Sequence, residues 1–277
     1  MASLTNSTST RKHVILKKTT SHFKMDKVIN HGMPHVGELI FESLDTPELI
    51  KCLEVSETWK ELAENVLIKR WKGKMLELCR KGETKIVQLL LERCNSEESG
   101  LNIKDEFGMT PFKWACVIGH KDAVKLLLDH SERIDLNARN NFGWTAFMMV
   151  CDNRDKDVVQ LLLDNSERIE LNARSIVGNT ALIFACRNGR EDVVKLFLDH
   201  YEKIDLNART NYGSTAFLYA CQRGDKDVVQ LLLDHSDQIE LNARSNEGWT
   251  AFMMACFNGH TDVVNLLLNQ FRPDLQG

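Results

Sequence analysis

Cysteine and histidine are the residues best suited to chemistry in this chain of 277 residues. A thiolate can attack an electrophile or hold zinc, and an imidazole can move protons or bind metal. Cys116, Cys151, Cys186, Cys221 and Cys256 stand 35 residues apart, and His130, His200 and His235 recur in one phase of the same period. That regularity argues against a shared centre. Repeat geometry holds equivalent residues about a repeat width apart, too far for one metal, and no CxxC pair is present for zinc. The recurring cysteines read instead as small apolar residues of an interior, and the histidines as favourable charge at helix ends. No GxGxxG, phosphate loop, HExxH or GxSxG occurs. The chain therefore reads as non-enzymatic, with no metal and no cofactor.

The elements that carry these residues follow from the period. A Leu-Asn pair opens each unit at Leu101-Asn102, Leu136-Asn137, Leu171-Asn172, Leu206-Asn207 and Leu241-Asn242, always 35 apart. A fixed step of this length predicts a solenoid, in which each unit buries its apolar face only against its neighbours. Within each unit a turn glycine (Gly108, Gly143, Gly178, Gly213, Gly248) is followed two residues later by a threonine able to cap a helix (Thr110, Thr145, Thr180, Thr215, Thr250). A short, small-sided inner helix follows, then an outer helix with apolar triplets such as Leu126–Leu128 and Leu161–Leu163. An aspartate falls in the first turn of each outer helix, where the helix dipole favours it (Asp122, Asp157, Asp192, Asp227, Asp262). Residues 101–277 are read as five such repeats with a short C-terminal tail. Residues 73–100 are read as a half repeat capping the array, ending in the polar turn 95–100.

Residues 1–32 are rich in Ser and Thr, carry Arg11, Lys12, Lys17 and Lys18, and show no helical or strand period. They read as a solvated tail; a nuclear-import patch or a phosphorylation site is the functional alternative. A net charge of −4 leaves the chain without a nucleic-acid footprint, and no apolar run is long enough to span a membrane. Cysteines without a disulfide pattern indicate a reducing compartment, the cytosol or the nucleus. Residues 33–72 form a distinct module of three short helices. Asp45-Thr46-Pro47 is a break at which Thr46 can cap and Pro47 can start a helix.

In the order Pro34, Ile40-Phe41, Leu44-Asp45, Leu49, Val55, Trp59 and Leu62, this module resembles an F-box. Ser56 stands where that family usually has Cys. The resemblance implies docking on a Skp-type adaptor, and through it on a cullin–RING ubiquitin ligase, with Pro34, Leu39, Ile40, Leu44, Leu49, Val55 and Trp59 as adaptor-binding residues. The repeats resemble ankyrin: a turn with Gly, then TPLH, then two antiparallel helices ending in LLL. Phe107–Phe112 is the nearest unit. Ala146, Ala181, Ala216 and Ala251 replace the family's Pro, and Lys113, Met148, Ile183, Leu218 and Met253 replace its His. Arg154 stands where the other repeats have Gly, and a left-handed backbone there would cost on the order of 1 kcal/mol. The expected fold is all-α: an ankyrin solenoid with β-hairpin turns, preceded by the three-helix module.

Ankyrin arrays resemble one another in using the hairpin and inner-helix face for partners. On that face Lys104, Arg139, Arg174, Arg209 and Arg244 form a basic column, beside Phe107, Phe142, Val177, Tyr212 and Glu247. Trp144, Trp249 and Phe257 add aromatic anchors, a residue class enriched in binding hot spots. Such a ladder suits an acidic, aromatic-bearing or phosphorylated peptide; equally, each Arg can pair with Asp135, Glu170, Asp205 or Glu240. Two functions stand at this stage. One is a substrate-recognition subunit of a Skp/cullin/F-box ubiquitin ligase, a monomer within that complex, holding a substrate protein on the array. The other is a plain ankyrin scaffold or inhibitor in which residues 34–94 only cap the array. Exposure of Leu39, Ile40, Leu49, Val55 and Trp59 discriminates between them. Loss of both Trp144 and Trp249 is expected to weaken capture with little effect on melting.

Overall fold

The structure, a computed structural model, describes residues 34–94, 100–152 and 155–271. The basic tail, most of the polar turn at 95–100, Arg154 and the C-terminal tail lie outside these residues, as does the side chain of Pro34. Contacts divide the chain into two units: residues up to Met75 with Glu83–Gly100, and Leu76–Gly82 with Leu101–Gly277. The segment 73–100 is thus shared between them.

The first unit contains α1 (Pro34–Ser43), α2 (Thr46–Cys52) and α3 (Glu57–Trp71). After α4 (Met75–Lys81), whose first residue only belongs here, it also contains α5 (Thr84–Arg93). Asp45, rather than Thr46, caps α2. Its carboxylate accepts the Glu48 N–H at 2.9 Å while Glu48 accepts the Asp45 N–H at 2.9 Å, a reciprocal capping box. Thr46 Oγ1 is left to accept the Trp71 indole N–H at 3.3 Å. Ser56 caps α3 by accepting the Trp59 N–H at 3.3 Å, a bond the thiol of a Cys would make poorly. Helix α3 packs on α1 and α2 over buried Phe41, Leu44, Leu49, Cys52, Trp59 and Leu67. The Phe41 and Trp59 rings meet edge-to-face at 5.5 Å. Helix α5 lies against α3, tied by Arg93 to Glu64 at 2.9 Å. Lys85 at its start reaches Glu54 at 2.6 Å.

The second unit is a stack of helix pairs: α6 (Pro111–Ile118) and α7 (Lys121–Asp129), α8 (Ala146–Asp152) and α9 (Lys156–Asp164), and α10 (Ala181–Arg187) and α11 (Glu191–Asp199). The stack continues with α12 (Ala216–Arg223) and α13 (Lys226–Leu233), then α14 (Ala251–Phe257) and α15 (Thr261–Phe271). Each inner helix contacts the inner helix of the next pair, and each outer helix its outer neighbour, so one apolar core runs the length of the stack. Every repeat threonine caps its inner helix as expected; Thr110, for example, accepts the Lys113 N–H at 3.3 Å. At the end of α6, Gly119 takes φ +85°, a left-handed backbone that closes the helix at little strain only without a Cβ.

The Asn of the first four Leu-Asn pairs explains why the pair recurs. Asn137 donates to the Arg168 carbonyl at 3.0 Å and accepts the Glu170 N–H at 2.9 Å. Asn102, Asn172 and Asn207 make the same two bonds to the exit loops of their own repeats. One side-chain amide satisfies a donor and an acceptor in a loop that the longer repeat would otherwise leave to water. Among the described residues there is no strand, so the expected hairpins are turns. The reason is local. Asn140 Oδ1 accepts both the Phe142 and the Trp144 N–H, capturing the donor that would return to the Asn140 carbonyl in an antiparallel ladder. Asp105 and Thr210 do the same in their turns.

Candidate functional site

Each turn leaves one or two residues exposed at its tip. Phe107, Phe142 and Tyr212 are exposed, as are Ile176 and Val177 between them, and Glu247 is the polar member at the last tip. Consecutive tips are joined by backbone bonds, Asn141 N–H to the Phe107 carbonyl at 3.2 Å, Asn211 to Val177 at 3.1 Å and Asn246 to Tyr212 at 2.9 Å. The apolar tip residues therefore form a regular row along one edge of the array. Exposed apolar rows of this kind mark interaction sites.

Beside the row, much of the basic column is engaged within the array. Arg139 donates to the Arg174 carbonyl and stands 3.8 Å from Glu170. Arg209 donates to the Arg244 carbonyl at 3.0 Å and pairs with Glu240 at 2.7 Å. Glu170 and Glu240 thus take two of these arginines, whereas Asp135 and Asp205, one methylene shorter at the equivalent sites, make no such pair. Lys104, Arg139, Arg174 and Arg244 are exposed and Arg209 is half-buried; of the exposed arginines, Arg139 is the one held by Glu170.

The aromatic anchors divide in the same way. Trp144 is half-buried, and its ring meets Phe184 of the next repeat at 4.6 Å and Phe142 at 6.0 Å. The Arg187 guanidinium lies over the Phe184 ring at 5.2 Å. Trp249 is half-buried against Phe257 at 5.3 Å, but Phe257 is itself 77% exposed. Trp144 therefore joins two repeats, and Trp249 lies on the face. Trp144→Ala is expected to lower the melting temperature by several degrees, and Trp249→Ala to change it little; thermal unfolding of the two single variants checks this split.

Tyr212, Trp249 and Phe257 border a cleft of about 280 Å³, with Ser214, Gln222, Ser245, Asn246, Glu247, Met254 and Asn258. Nothing in the spacing of the sequence pointed to this cleft. The signal was present but small: Ser214 occupies the position that Trp holds at 144 and 249.

Four of the five recurring thiols and the three imidazoles are structural; Cys256 corrects the reading, being exposed on the last inner helix, where no further repeat among the described residues covers it. Cys116, Cys151, Cys186 and Cys221 are fully buried, and burial raises all four thiols, that of Cys221 to about 12, so they remain protonated. His130, His200 and His235 each turn Nδ1 onto the carbonyl four residues back, at 2.9 to 3.0 Å, satisfying the last turn of the outer helix. Asn165 does the same with its amide in the second repeat. Among the described residues no group of His, Cys, Asp and Glu could hold a metal, and no helix is long and apolar enough to cross a membrane. A residue missed from the sequence is Lys113, which is fully buried at the site where other repeats carry Met, Ile or Leu.

In the first unit the adaptor-binding set also separates. Leu39 is 65% exposed, Val55 is exposed and Ile40 is half-buried. Leu44, Leu49 and Trp59, expected on the adaptor-binding surface, are core residues of this unit, with Trp59 only 5% exposed. They face the partner helices of their own unit, because α3 must cover α1 and α2 for so small a bundle to have an interior.

The family model described as ankyrin repeats (3 copies) matches residues 75–175, 133–210 and 202–276, together well over half of the chain. The chain belongs to the ankyrin-repeat family. The matched segments begin after α3. A search of curated proteins finds no match.

Proposed function

We propose that this chain is a non-catalytic recognition subunit that holds a partner protein on the tip and inner-helix face of its array. The observation that carries this is the row of exposed Phe107, Phe142, Val177 and Tyr212, set at a regular step by tip-to-tip backbone bonds. The first unit supplies a second docking surface. Exposed Leu39 and Val55 with half-buried Ile40 fit the resemblance to an F-box that engages a Skp-type adaptor, and through it a cullin–RING ligase. The chain would then act by proximity in the cytosol or nucleus, presenting the array's partner for ubiquitin transfer. Burial of Leu49 and Trp59 favours the second reading, a plain ankyrin scaffold whose first unit only caps.

Co-purification with a Skp-type adaptor separates the two. Leu39→Asp with Val55→Asp is the informative variant, because both residues are exposed and the fold should survive. Stoichiometric binding by the parent and loss in the variant supports the ligase-receptor reading. A folded parent that leaves the adaptor behind rejects it and leaves the scaffold.

A further inference from the structure

The repeats are internal copies, so each junction can be compared with another two repeats away. At the junction of the second and third repeats, the Trp144 indole lies between Phe142 and Phe184, with Phe184 at 4.6 Å. At the junction of the fourth and fifth, Tyr212 stands for Phe142, Met254 for Phe184, and Ser214 for Trp144. The indole is gone there, and the 280 Å³ cleft opens at that place, lined by Tyr212, Ser214, Met254, Trp249 and Phe257. The same backbone carries both versions. The Ser214 turn closes with Thr210 N–H to the Ser214 carbonyl at 2.9 Å, as the Trp144 turn closes with Asn140 at 3.0 Å.

We infer that this cleft is the anchor subsite of the array and accepts an indole side chain from an extended segment of the partner protein. The inference rests on the partner-binding reading of the face and names the chemistry of its anchor. The incoming ring takes the position that Trp144 fills internally two repeats earlier. It packs on the Met254 thioether where Trp144 packs on Phe184, a favourable sulfur–aromatic contact. Trp249 and Tyr212 offer edges or faces on its flanks. The polar rim of Gln222, Asn246, Glu247 and Asn258 provides acceptors for the indole N–H. That use of a carboxylate has a precedent in the first repeat, where the Trp114 indole donates to Asp105 at 2.9 Å.

The test uses the full chain with methyl-labelled methionine and N-acetyl-tryptophanamide as the probe, followed by NMR. The expected result is a saturable shift of the Met254 methyl. That shift should weaken by about tenfold or more in Ser214→Trp, which refills the cleft from within. N-acetyl-leucinamide should shift Met254 far less. Tyr212→Ala, at a position 63% exposed, gives a second weakened variant that leaves the core untouched. No shift with the tryptophan probe overturns the inference, as does equal binding by folded Ser214→Trp or equal response to the leucine probe. A captured partner protein separates the levels. If parent and Ser214→Trp hold it equally, while Phe107→Asp with Phe142→Asp releases it, the array binds partners but the cleft is not the anchor. If the Phe variants also hold it, the partner-binding face itself is wrongly placed.

Discussion

Lys113→Met is expected to stabilise the array by roughly 1–2 kcal/mol at neutral pH. Lys113 is fully buried at the start of α6, with its Nζ 3.5 Å from the Gly108 carbonyl. Burial lowers its ammonium from 10.5 to about 8, aided by the nearby positive charges of Lys104 and Arg139 and opposed by Asp135 and Asp105. The folded pKa lies below the unfolded one. Between pH of about 8 and 10.5 the unfolded chain therefore holds a proton that the folded chain lacks, and stability rises with pH. Below about pH 8 both states are protonated and the folded state carries the full penalty. At roughly 1.4 kcal/mol per tenfold in protonation, the gap sets an upper bound of about 3 kcal/mol, which screening near the surface reduces to roughly 1–2 kcal/mol. Met already occupies this site at Met148, which is buried in the same stack. The gain of Lys113→Met should be constant from pH 6 to about 8 and shrink toward pH 10.5. Chemical denaturation at several pH values measures it. A variant no more stable than the parent at pH 7 would show that the ammonium finds compensation where it lies.

Trp59→Ala is expected to cost about 3–5 kcal/mol and to release the first unit. The indole fills the space among α1, α2 and α3 and meets Phe41 edge-to-face at 5.5 Å. A unit of so few helices has little stability to lose, so a cavity of this size consumes most of it. Hydrogen exchange should show the amides of α1–α3 losing protection while α8–α13 keep theirs, since stacked repeats draw stability from their nearest neighbours. Unchanged protection in α3 would mean that Trp59 is a contact residue after all. The result also bears on adaptor binding: loss in Trp59→Ala would reflect unfolding, which is why Leu39 and Val55 are the residues to change.

Much of the array was legible in the sequence because its signals are local or periodic. The threonine caps, the left-handed glycine after α6 and the buried cysteines follow from backbone chemistry repeated at one step. The terminal role of His130, His200 and His235 follows as well, since a helix end offers its own carbonyls to whatever side chain stands there. What each side chain does beyond its own turn was decided by the tertiary structure. The choice between Arg as a ligand-binding ladder and Arg as an internal brace turned on side-chain reach: Glu170 and Glu240 pair with Arg139 and Arg209, whereas Asp205 makes no pair with Arg174, nor Asp135 with Lys104. The six expected adaptor-binding positions whose side chains are described could be aligned from the sequence, but not sorted into core and surface. Which face of α2 and α3 turns inward depends on how three helices close on one another. The cleft at Ser214 is of the same kind. A small residue in a column of large ones is a change of letter in the sequence, and becomes a site only where Tyr212, Met254 and Trp249 from adjoining repeats surround the space it leaves.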